Sequence, residues 1–165
     1  MTRSHGLFLG WLCLIPHVGI SQSRAVSVAA SQDGAARITF ADGSKTTIPK
    51  ERAQVGISEA QIAPDGTVGW LAEFNTESVS YPIAGTLVLW RAGKTIRRFG
   101  SVQTFYSWSF YAQGKQVAYH VGPLHGEQHS HCELHDIATG ARIAQWDGDL
   151  DAKSGQPAWT KDLNH

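Results

Sequence analysis

The stretch Thr86–Phe99 reads TLVLWRAGKTIRRF, and Cys132–Trp146 reads CELHDIATGARIAQW. Each is a pair of short apolar runs around a glycine-bearing turn. With Gly93 set on Gly140, Ile96 falls on Ile143 and Phe99 on Trp146. A second pair of segments behaves alike. Ile62–Trp70 (IAPDGTVGW) and Phe110–Tyr119 (FYAQGKQVAY) share the turn glycines Gly66 and Gly114, and Val68 and Trp70 meet Val117 and Tyr119 after a one-residue slip. Arg37–Ile48 (RITFADGSKTTI) adds a further copy of the first kind around Gly43. The chain therefore reads as half a unit followed by two whole ones, each whole unit an antiparallel four-stranded meander.

Outside these segments the apolar pattern keeps a period of two. Val26, Val28 and Ala30 form one row, Ile38 and Phe40 another, and Tyr106, Trp108 and Phe110 alternate with Ser107 and Ser109. Such alternation of aromatic and β-branched residues is strand chemistry. Asp33-Gly34, Asp42-Gly43, Asp65-Gly66, Ala92-Gly93, Gln113-Gly114 and Thr139-Gly140 punctuate the runs, and glycine there supplies the positive φ that tight hairpins require. No stretch carries a capped helical stripe. The pattern predicts an all-β chain of roughly ten or eleven strands, in consecutive meanders or, alternatively, an open or sandwiched sheet.

The N-terminus has a different character. Arg3 precedes an apolar run from Leu7 to Ile15, broken at Pro16-His17, and small residues follow at Ser21 and Ser23. This is the layout of a secretory signal, and the run is too short for a membrane anchor. The sequence predicts a signal peptide over 1–23, an all-β repeat domain over 24–150 and an irregular C-terminal tail over 151–165, with Trp159 docking the tail. Removal of 1–23 takes away one of the two cysteines, Cys13, leaving Cys132 without an internal disulfide partner. Lys and Arg number 14 against 14 Asp and Glu, so no basic excess points to nucleic acid or an anionic membrane. An exported protein, periplasmic or extracellular, with no membrane span after cleavage is the expectation.

The motifs Ala63-Pro-Asp-Gly66 ahead of a strand and Asp136-Ile-Ala-Thr-Gly140 between two strands resemble the repeats of TolB-type and WD-type β-propellers. The resemblance covers roughly residues 36 to 147 and lies in turns. It implies blade-like meanders and no catalytic residue. A propeller needs typically four or more blades of roughly 40–50 residues, and this chain has room for about three of that length, too few for a closed monomeric propeller. Open sheet edges then invite association with further copies.

Histidine is the compositional anomaly. His120, His125, His129, His131 and His135 crowd into one stretch. His129, His131, Glu133 and His135 share one parity, so a strand places them on one face, while Cys132, Leu134 and Ile137 serve the core across a bulge near Asp136. Zinc takes three or four nitrogen, sulfur or carboxylate ligands. The sequence thus offers a zinc or copper site with His129 and His131 as first ligands, completed by His125, His135 or Glu133. The plainer reading is a polar strand face, for which histidine is an ordinary choice.

Catalytic signatures are lacking. Cys132 and His131 are neighbours on opposite strand faces, as are His135 and Asp136, so neither pair meets as nucleophile and base. There is no Gly-x-Ser-x-Gly elbow and no phosphate-binding glycine loop. The Tyr106–Trp108–Phe110 row reads as buried sheet face before it reads as a binding platform. The functional expectation is a non-enzymatic module that binds a protein, peptide or glycan through its loops, or plays a structural role. Metal binding is the alternative.

Overall fold

A computed structural model describes residues 23–125, 130–148, 150 and 155–163. The predicted signal peptide, residues 1–23, lies outside the described residues but for Ser23. Eleven strands form among the described residues: β1 (Ala25–Ala30), β2 (Ala36–Phe40), β3 (Lys45–Ile48), β4 (Gln54–Ile62), β5 (Val68–Phe74), β6 (Ile83–Arg91), β7 (Lys94–Gly100), β8 (Thr104–Tyr111), β9 (Gln116–Gly122), β10 (His131–Asp136) and β11 (Arg142–Trp146). They make three antiparallel meanders, β1-β2-β3, β4-β5-β6-β7 and β8-β9-β10-β11, and none of the three sheets closes on itself. The chain is all-β. The six turn glycines, Gly34, Gly43, Gly66, Gly93, Gly114 and Gly140, all adopt positive φ and each joins two paired strands.

The sheets stack face to face. Alternation along β5 and β6 sends Val68, Trp70, Val88 and Trp90 toward Ile38 and Phe40 of the first sheet. The other parity, Leu71, Leu87 and Leu89, packs on Trp108, Val117, Tyr119 and Val121 of the third. A strand buried on both faces loses the clean polar alternation of a half-exposed one. Gly69 makes the second layer possible. A Cβ there would lie 2.4 Å from Trp108 Cη2, so the missing side chain is the space the indole fills. Trp108 is fully buried, and its Nε1 donates to the Glu59 carbonyl at 2.8 Å.

The far face of the third sheet is also covered. Ala158–Leu163 form a 3₁₀ helix whose Leu163 packs with Ala118, Cys132 and Leu134, with Trp159 partly buried beside them. Ser107 Oγ donates to the Leu163 carbonyl at 2.6 Å. Within the tail that composition suggested to be irregular, Ala158–Leu163 take up 3₁₀ structure docked on the sheet. The outer face of the first sheet is different. Ser27, Ala29, Arg37, Thr39, Lys45 and Thr47 share it, and none is buried. Among the described residues no helix is long and apolar enough to cross a membrane.

Two expected apolar rows start one residue away from where alternation puts them. The first strand of every sheet carries a bulge near its start, between Ala25 and Ser27, Gln54 and Gly56, and Phe105 and Ser107. A bulge inserts one unpaired residue and flips the parity before it. Val26, Val55 and Tyr106 sit on these bulges and are 55%, 40% and 44% exposed. The buried rows therefore begin at Ala25 and Phe105, and Phe105 takes the core place that the sequence assigned to Tyr106.

Candidate functional site

Strand β10 sorts its side chains as alternation requires. Cys132 and Leu134 face the C-terminal helix, and Cys132 is a free, buried thiol. Burial, helped by Asp147, pushes that thiol up to about 11. His131, Glu133 and His135 take the other face, and the structure brings these three together. Ile137 follows the same parity into the core between the second and third sheets, not into the layer of Cys132 and Leu134. The register shift sits between Leu134 and His135 against β11.

Glu133 is the hub. Its Oε2 accepts from the Tyr119 hydroxyl at 2.7 Å and lies 2.7 Å from His135 Nε2. Its Oε1 accepts from Arg142 Nη1 at 3.0 Å and lies 3.2 Å from His131 Nε2. Burial works against the charged carboxylate, but the hydrogen bonds from His135, Tyr119 and Arg142 overcome it and hold Glu133 down at about 2. The Tyr119 hydroxyl is raised, by burial first and then by its hydrogen bond to the Glu133 carboxylate and that group's charge. His135 Nδ1 lies 3.1 Å from the Gly140 carbonyl oxygen, and its Nε2 also lies 2.8 Å from the Tyr119 hydroxyl. The imidazole stacks on the Tyr119 ring at 5.1 Å and meets Phe99 edge-on at 4.9 Å. His135 is thus a core residue with both nitrogens engaged.

The remaining predicted ligands lie elsewhere. His125 lines a shallow cleft with Ser78, Ile83, Val102 and Thr104, and His129 lies outside the described residues. His120 pairs across from Cys132 and rests its ring on Tyr106. Burial, then the nearby His131, lowers its basicity. Among the described residues no group of three or more His, Cys, Asp or Glu is arranged to hold a metal ion. His131 and Glu133 are two donors toward the three or four that zinc takes. Asp136, beside His135, accepts from Thr139 N at 2.7 Å and Thr139 Oγ1 at 2.8 Å and serves its own turn.

A different feature emerges at the turn end of the two four-stranded sheets. The β4–β5, β6–β7, β8–β9 and β10–β11 turns surround an open cleft of about 630 Å³, whose lining includes Asp65, Arg91, Lys94, Arg97, Lys115 and Asp136. The turns hold one another. Gly114, at φ +84°, presses so closely on the neighbouring turn that a Cβ would stand 2.9 Å from Ala63 Cβ. Arg97 Nε donates to the Ile137 carbonyl at 3.0 Å, and its Nη2 donates to that of Ala138. Arg91 Nη1 and Asp65 Oδ2 pair at 2.6 Å. Thr95, Ile96, Ile137 and Ala138 complete the walls. The sequence carried one signal for this cleft: a lysine directly follows the turn glycine in both Gly93-Lys94 and Gly114-Lys115. Two turns far apart in the chain reveal a shared cleft only once the sheets are stacked. No family model matches the chain, and no curated protein matches it either.

Proposed function

We propose that the chain is an exported, non-enzymatic binding module that takes its partner at the turn end of its two four-stranded sheets. The observation that carries this reading is the cleft itself. Four turns from two sheets are tied together by Arg97 and by the close approach at Gly114, and loops fixed on a rigid sheet are where binding residues concentrate. The cleft volume falls within the range of small-molecule and peptide side-chain sites. Export rests on the leader pattern at 1–23. The consecutive meanders support the likeness to propeller blades, with ligand contacts in the connecting turns. Protein, peptide and glycan partners all suit such a surface.

The test is a nuclear magnetic resonance screen of short peptides and oligosaccharides against the isotopically labelled protein. Shifts clustered at Thr95, Lys115 and Ile137 support the reading, and shifts confined to other surfaces overturn it. Fusion of residues 1–23 to a reporter active only outside the cytoplasm tests export. Metal binding by His125, His129, His131 and His135 is the second reading. Its support among the described residues is the His131–Glu133 pair. Zinc and copper titration beside a His129→Ala/His131→Ala variant decides it.

A further inference from the structure

We infer, resting on the binding reading above, that the turn-end cleft takes a small organic anion: an apolar body against Ile96 and Ala138, with its charged oxygens toward Lys94 and Lys115. The lining carries four cations and two acids, and most of these are already used. Asp65 accepts from Arg91 and from Thr67 N. Asp136 is held by Thr139. Arg97 is spent on two backbone carbonyls. Lys94 and Lys115 are left, both exposed and with their side-chain ammonium groups in no hydrogen bond or ion pair among the described residues.

These two lysines are placed, not merely present. Each follows a glycine at positive φ, Gly93 at +85° and Gly114 at +84°. The Lys94 backbone is fixed by its pairing with Arg91 across the hairpin. The Lys115 carbonyl accepts from Ile137 N at 3.0 Å. They belong to different sheets and line one opening. A cation entering there meets two like charges, and a neutral ligand leaves them unanswered. An anion neutralises both, and like-signed ligands are rejected by the same charges. The isoleucine and alanine walls add area that a bare inorganic ion cannot use.

Calorimetry and amide-shift mapping with 2-naphthalenesulfonate, neutral 2-naphthol and inorganic sulfate test this. The expected result is saturable one-to-one binding of the sulfonate, weakened at least about tenfold in Lys94→Glu/Lys115→Glu and by added salt. Lys45→Glu, on the outer face of the first sheet, leaves it unchanged. Ala138→Trp, which fills the cleft, abolishes it, and unchanged melting temperatures exclude misfolding of each variant. Naphthol binding as tightly as the sulfonate, with the lysine reversals silent, overturns the anion assignment while leaving the cleft as a binding site. No shift at Lys94, Lys115 or Ile137 with any probe overturns both.

Discussion

Gly69 of β5 lies directly against the indole of Trp108 on β8, so close that a methyl at position 69 would stand 2.4 Å from Cη2 and 2.8 Å from Leu89 Cδ2. Both neighbours are buried and cannot swing away. Gly69→Ala therefore overpacks the layer between the second and third sheets, at a cost of about 1–3 kcal/mol. Urea denaturation checks it, and a midpoint equal to wild type would show that the layer is looser than described.

The bulges give a prediction at neighbouring positions. Phe105→Ala removes a buried ring and costs about 3–5 kcal/mol. Val26→Ser and Val55→Ser change exposed bulge residues and stay within about 0.5 kcal/mol of wild type. Strict alternation across the bulge would place Val26 with Val28 in the core and make its substitution costly. Thermal melts of the three variants separate the two patterns.

Glu133 sets an acid limit. Its carboxyl falls from an ordinary 4.5 to about 2 in the folded chain, so the stabilisation it brings is complete above the unfolded value. It is lost as pH falls from about 4.5 toward 2. Glu133→Gln loses about 1–2 kcal/mol at neutral pH, a range that allows for partial solvation. It also flattens the stability profile across that acid window. Chemical denaturation at several pH values reads both effects.

Cys132 reports on the C-terminal helix. Buried and raised to about 11, the thiol reacts slowly with an aromatic disulfide reagent at pH 8 in the native protein and rapidly in denaturant. Leu163→Ala thins the cover over it, costs about 2–5 kcal/mol and speeds labelling. Labelling as fast in the native wild type as in denaturant would show that the helix does not shield that face.

What was legible in the sequence was local. All six glycine turns fall between paired strands, because a hairpin turn needs positive φ within a few residues and Asp-Gly or its equivalents supply it. The two whole meanders follow from the matched turns. The half-unit at the front proved to be three strands, since β1 has no counterpart in the matched segment. The bulges at Val26, Val55 and Tyr106 were not legible, because a bulge is settled by which residue across the sheet finds a hydrogen-bond partner. The histidine strand was half legible. Parity put His131, Glu133 and His135 on one face, but only the packing of Tyr119 and Phe99 against the imidazole makes His135 a core residue.

The two outer surfaces of the stack have a consequence for how such a chain can grow. One is a polar sheet face bearing Arg37, Lys45 and Thr47, and the other is closed over by Leu163 and Trp159. Among the described residues the first is mostly polar and the second is already covered, so both offer a neighbouring sheet little apolar area. The seam between Gly100 and Thr104, by contrast, joins two meanders whose facing surfaces are apolar on both sides. A duplicated meander spliced into that seam finds an apolar complement above and below, whereas the same copy appended to the front meets lysine, arginine and threonine. Lengthening this architecture is a matter of internal duplication, with the two end surfaces carried along unchanged.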